Sequence, residues 1–419
     1  MRSRRILPSV LVSLTLAACG GNGSRFPGVA VQQSALPRDT GPSVSAGDAA
    51  QLASDDETFA VDLYQALRAQ PGNLIYSPAS ISLALAMLYN GAAGTTASQM
   101  AAALQFSLPL DRLNAAFDAM DLMLNQAPAG STDGAFQLSI ANSLWTQAGF
   151  AVQQPFLDAL ATSYGAGLNT VDFIANPENA RSTINQWVAD ETQQEIPTLF
   201  PAGSIDSTTR LVLADAVYFH GDWMKAFDAN SGTGTFHAAS GDVTATMMRG
   251  EDNAFLTSGT GWQAATLQYQ GSSVDMVLVI PDAGTFDAFE AGFTAQQLSS
   301  IINATSSFGS LVMPKFKFRT AESLNDVLSA LGMPDAFTSA ADFSGIDGQH
   351  DLQIGSVVHQ ADIAVDEQGT TAAAATGIGI TANAVVQSLV VDRPFLFFIV
   401  HPATGAILFA GRVLDPTAG

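Results

Sequence analysis

The sequence predicts an α+β fold built as one large domain. Three observations carry that expectation. Helical and strand-like stretches mix along the chain without the strand–helix alternation of a parallel sheet. The strand-like stretches include a continuous apolar run, an alternating one and an apolar C-terminal hairpin. No internal repeat and no second linker interrupts residues 51–419.

The chain opens with MRSRRILPSVLVSLTLAACGG. Arg2, Arg4 and Arg5 form a positive start, and Ile6 to Ala18 is an apolar segment too short to span a bilayer. Leu16-Ala17-Ala18-Cys19 resembles the lipobox of bacterial lipoproteins, in which the Cys is lipidated and becomes the first residue of the exported chain. An ordinary secretory signal cut near Ala18 reads the same stretch differently, but Cys19 is the chain's only cysteine and sits where lipidation requires it. Residues 1–19 are expected to be this signal and 20–50, rich in Gly, Ser, Pro and Gln, a flexible tether. The protein is then expected to be lipid-anchored at the outer membrane or cell surface, or else periplasmic or extracellular. A mature chain whose one Cys is lipidated has no disulfide and no Cys-based site.

From Ser54 a helix is expected: Phe59, Leu63, Tyr64 and Leu67 recur at helical spacing, with Asp55, Asp56 and Glu57 in the first turn. Leu74 to Tyr76 reads as a short strand. Ser77-Pro78 reads as a helix start with a capping hydroxyl and Pro at the first position, and Gly91 to Gly94 as its end. Val274 to Ile280 is a strand apolar enough to be buried on both faces, and Leu311 to Phe318 an alternating, half-buried strand. Phe395 to Val400 and Ala406 to Val413 form the closing hairpin, turning through His401 to Gly405.

Charge excludes several functions. The formal net charge is −22, with only 16 basic residues, and none cluster after the first five positions. Nucleic acid, anionic lipid surfaces and polyanionic cofactors are therefore poor partners. There is no P-loop, no Rossmann glycine pattern, no His-Glu-x-x-His and no Gly-x-Ser-x-Gly elbow. The histidines (His220, His237, His350, His359, His401) show no ligand spacing. No cofactor, no metal and no enzyme activity are expected.

The unusual stretch is VDEQGTTAAAATGIGITANAVV, residues 365–386. No charge occurs between Gln368 and Val391. Thr370, Ala372, Ala374, Thr376, Ile378, Ile380 and Ala382 give one small or apolar face, and the odd positions give a small or polar one. That two-residue period fits a strand lying on a core, yet Ala and Gly are poor strand formers. A segment that is loop in one state and central strand in another fits the pattern. So does an Ala/Gly linker.

VDEQGTTAAAATG resembles the reactive-loop hinge of the serpins. NLIYSPASISLALAMLYNGAAGTT, INQWVADETQQEIPTLFP, LADAVYFHGDW, LVMPKFKF, LQIGSVVHQADIAVDEQG and DRPFLFFIVHPATGAILFAGRV resemble the family's other landmarks, in order, from about Ser54 to Pro416. The resemblance implies the serpin fold, with a large, mainly antiparallel central sheet, surrounding helices and an exposed reactive loop. It also implies a monomeric suicide inhibitor of serine, and sometimes cysteine, proteases, in which the cut loop inserts into the large sheet while the acyl-enzyme is still intact. Glu367, Gly369, Thr370 and Ala372, Ala373, Ala374 and Ala375 would be the hinge. None of the alanine positions is bulky or charged, as they often are in non-inhibitory members, whose binding or substrate role is the alternative. The family's spacing of seventeen residues from Glu367 places the scissile bond at Asn383–Ala384. The neighbouring alanines suit an elastase-like pocket, and the absence of Lys or Arg disfavours a trypsin-like target. Ser77, Ser80 and His359 match the polar cluster under the strands that must part, and Trp223 the point where the loop enters. Asp215 stands where most serpins have Asn, and is expected to pair with His359.

Overall fold

The computed structural model describes residues 29–125, 136–271, 273–370 and 387–418. Its strands lie in two sheets. The first runs, in spatial order, β1 (Ala30–Gln32), β4 (Leu168–Val171), β3 (Phe136–Gln147), β5 (Leu211–Asp222), β13 (Gly369–Thr370), β12 (Ser356–Val365) and β11 (Phe316–Ser323). The second runs β14 (Gln387–Val390), β10 (Ser307–Pro314), β7 (Gly241–Gly259), β8 (Trp262–Gln268), β9 (Asp275–Pro281), β15 (Phe395–His401), β16 (Ala406–Val413) and β2 (Leu74–Tyr76), with β6 (Gly232–Ala238) on β7. The α+β expectation holds, and most pairings in the first sheet are antiparallel.

Helix α2 (Pro78–Tyr89) is buried almost all round, because it lies in the main core against β3, β5 and β16. The expected cap is present, with Ser77 Oγ accepting from the Ser80 amide. On the opposite face of the first sheet a smaller core packs Trp145, Val212, Ala214 and Ala216 against the helix Pro177–Glu191, through Ile184 and Val188. The sheet is thus covered on both faces, so its middle strands read as apolar rather than alternating.

Three sequence expectations need correction. Helix α1 spans Ala46–Leu67 and is capped by Ser45, not started at Ser54. The acids that resembled a first turn lie mid-helix instead: Asp55 accepts from Ser107 and Gln51, and Asp56 from Ser82. The segment expected as a tether folds onto the domain over its described part. β1 pairs with β4, and Arg38 donates to Asp118 and Asp121 at 2.8 and 2.6 Å. The run Leu311–Phe318 is not one strand. β10 ends at Pro314, the Lys315 amide bonds Thr246 O, and β11 begins in the other sheet at Phe316.

Candidate functional site

β5 and β12 are parallel neighbours over Val212–Val217 and Ser356–Ala361. Beyond that they separate, and β13 enters between their ends. Gly369 and Thr370 lie against Asp222 and Gly221 on one side, and Thr370 lies against Val365 on the other. Two of the expected hinge residues therefore already occupy the mouth of a slot between parallel strands.

The approach is close enough to dictate residue type. A Cβ on Gly369 would lie 2.1 Å from Gly221 O and 2.6 Å from Asp222 Cα, so only glycine fits against this backbone. Thr370 is 1% exposed, and its hydroxyl is 2.8 Å from the Tyr269 hydroxyl. Tyr269 is itself buried, which pushes its phenol far above the ordinary range and keeps it neutral, against the opposing Thr370 hydrogen bond.

Trp223 grips the turn that delivers this strand. Its indole stacks on Tyr269 with ring centres 4.5 Å apart, Nε1 donates to Asp366 O at 3.0 Å, and its amide donates to Gln368 O at 2.7 Å. Inside the turn, the Asp366 amide donates to Gly369 O and Asp366 Oδ1 accepts from the Gln368 amide, both at 2.9 Å. Glu367 is tied to Lys315 Nζ at 2.5 Å and accepts from Ser231 Oγ. Burial alone would raise the Glu367 carboxyl, but Lys315 and Ser231 outweigh it and hold it below the usual carboxylate range.

Farther down the same slot is the second cluster. Asp215 lies seven positions before Asp222 on β5, about 23 Å at strand rise. Asp215 and His359 are each 0% exposed, opposite one another in the β5–β12 register. His359 Nε2 lies 3.0 Å from the Ser77 amide, which can only donate, so Nε2 accepts. The proton is then on Nδ1 and is donated to Asp215 Oδ2 at 3.1 Å. Asp215 Oδ1 accepts from Ser80 Oγ at 2.6 Å, and Asn142 Nδ2 donates to Ser80 O at 2.9 Å. One hydrogen-bonded unit thus ties β5, β12, β3 and the start of α2 together across the line where the sheet would open.

The structure brings Ser77, Ser80, Asp215 and His359 together, and separately Trp223, Glu367, Gly369 and Thr370. Ala372, Ala373, Ala374, Ala375, Asn383, Ala384 and Cys19 lie outside the described residues. Sequence reasoning missed Tyr269, Asn142, Lys315 and Ser231. The LVMPKFKF landmark did contain Lys315, without showing that it would reach back to the hinge. Among the described residues no group of three or more His, Cys, Asp or Glu side chains could hold a metal ion.

This arrangement has relatives. A family model described as serpin (serine protease inhibitor) matches residues 54–416. An uncharacterized serpin-like protein of Thermococcus kodakarensis is 35% identical over 393 residues, covering 92% of this chain and 91% of that protein. The leukocyte elastase inhibitor of Homo sapiens is 34% identical over 384 residues, covering 87% of this chain and all of that one. The crystal structure of the thermophilic serpin tengpin in its native state superposes with a TM-score of 0.79 at 26% identity, covering 92% of this chain and 97% of that one. With the fold, the short strand β13 seated between β5 and β12 and the matched span in agreement, the chain belongs to the serpin family.

Proposed function

We propose that this protein is a covalent, loop-inserting inhibitor of serine proteases with elastase- or subtilisin-like preference, exported and held at the cell surface by a lipid on Cys19. The observation that carries the reading is the position of Gly369 and Thr370, paired with both β5 and β12 at the mouth of the slot. A hinge already seated in register needs no search to continue. Six residues on from Thr370 is Thr376; six back from Gly221 is Asp215, and six back from Val365 is His359. Insertion in this register would bring Thr376 level with the Asp215–His359 pair and replace the direct β5–β12 ladder with two new ones. At about 0.5–1.5 kcal/mol per net hydrogen bond, a dozen inserted residues would release on the order of 10 kcal/mol.

The chemistry follows the family. The protease serine attacks the Asn383 carbonyl, the Ala384 amine leaves, and the acyl-enzyme waits for water. Insertion competes with that hydrolysis. Ala372 to Ala375 carry no bulk or charge to slow passage between packed strands. The relative named for inhibiting leukocyte elastase supports a small-residue pocket as the target. Loop cleavage tests the insertion step: the cut protein should resist heat markedly better than the uncut one. Equal midpoints would favour a non-inhibitory serpin.

A further inference from the structure

We propose that the outer face of β14, β10 and the end of β7 is a second docking surface for the target protease, recognising an uncharged face beside its cleft. This rests on the part of the reading above in which a protease engages the loop at Asn383–Ala384. β14 begins at Gln387, three residues after Ala384. At about 3.3 Å per extended residue, that puts the strand within roughly 10 Å of the new amine end. A protease seated on the Asn383–Ala384 bond therefore has its body over this part of the sheet.

The surface there is distinctive in this chain. A hollow of about 630 Å³ is lined mainly by hydroxyl and amide side chains, among them Thr257, Ser258, Gln263, Ser307, Gln387 and Ser388, with Leu256 and Leu389 as its apolar members. None of its lining residues is charged, in a protein with 38 acidic residues and a net charge of −22. Beside it Phe308 is 53% exposed, in edge contact with Phe255 at 5.2 Å, and Val390 is 44% exposed. Leu311 and Leu389, a register pair on β10 and β14, are buried, so strand alternation puts Phe308 and Val390 on the same outer face, with Val390 level with Val312 and four positions along from Phe308. Single exposed apolar side chains are ordinary, but an aromatic anchor beside an uncharged polar hollow is how the centre of a recognition surface is built. The acidic remainder of the molecule would discourage acidic enzymes, and this window leaves the approach open to a neutral one.

The test uses the whole chain with pancreatic elastase and subtilisin as probes. The readout is the second-order rate at which intact protein disappears, by complex formation and by cleavage together. A free peptide of residues 376–391 reports the loop sequence alone. Phe308→Glu and Thr257→Glu should each slow the reaction about tenfold, while Phe308→Leu stays within about threefold and thermal midpoints hold. Variants that react at the wild-type rate overturn the docking surface and leave the inhibitory reading standing. Slowed cleavage without any covalent complex supports the docking surface and removes the inhibitory reading. If neither protease touches the loop, both fall.

Discussion

His359 donates its Nδ1 proton to Asp215 across 3.1 Å in the interior, joining β12 to β5 along the line that the proposed insertion would part. The other imidazole nitrogen is occupied as an acceptor from the Ser77 amide. Parting β5 from β12 therefore has to break this pair.

Asp215→Asn tests how firmly the pair holds the two strands. The amide oxygen still accepts from Nδ1, but the charge is gone, and a hydrogen bond to a charged group is roughly twice as strong as a neutral one. The variant should therefore insert faster than the wild type, by about fivefold. Stopped-flow measurement of insertion at one fixed pH decides it, and an unchanged rate contradicts a holding role for the pair.

Thr370→Arg places a long cation where a buried hydroxyl meets Tyr269. Insertion should slow enough that hydrolysis wins, so the protein becomes mostly a substrate. Titration of protease activity would show the moles of inhibitor consumed per mole of enzyme rising severalfold. Tyr269→Phe should do less, losing about 1 kcal/mol of hydrogen bonding at the hinge.

Gly369→Ala should expel β13 from the slot mouth, since its Cβ would lie 2.1 Å from Gly221 O. Amide hydrogen exchange at residues 366–370 would accelerate by more than tenfold, the loss of about 1.4 kcal/mol or more in local stability. Unchanged protection would show that the hinge is held elsewhere.

Asp56 gives a pH dependence with a definite sign. It is buried, and desolvation lifts its carboxyl to about 7, aided by the charge of Asp55 and opposed only by the Ser82 hydroxyl. Its Oδ2 has no protein partner. A raised acid favours the protonated folded state, so stability falls as pH climbs from about 4 towards 7 and then levels, by on the order of 4 kcal/mol in total. Urea midpoints at pH 5 and 8 should therefore differ more for the wild type than for Asp56→Asn.

Much of this fold was legible because its signals are local. The Ser77-Pro78 start, the β9 run and the closing hairpin follow from capping and apolar periodicity over a few residues. The split at Lys315 was also present in the sequence. Leu311 and Met313 are buried at odd positions and Phe316 and Phe318 at even ones, so no single strand carries the pattern. The ordered N-terminal segment was hidden in a composition that reads as loop, because one short strand and one arginine are enough to hold it.

The site divides along the same line. Gly369 and Thr370 stand out within a run of small residues, and Asp215 with His359 through the serpin resemblance. Tyr269 had no such signal. It is an isolated aromatic just past β8, brought to Thr370 by its bridge to Trp223 and by the pairing of β13 with β5. Contacts of that kind are properties of the register, not of any window of sequence.

Trapping requires that insertion outrun deacylation. The chain lacking its first 19 residues, mixed with pancreatic elastase or subtilisin and run on a denaturing gel, shows which step wins. If insertion wins, a band forms at the summed mass of protease and inhibitor, minus a released C-terminal fragment that begins at Ala384. Complete cleavage by these proteases with no such band would mean that hydrolysis wins and the chain is a substrate rather than an inhibitor.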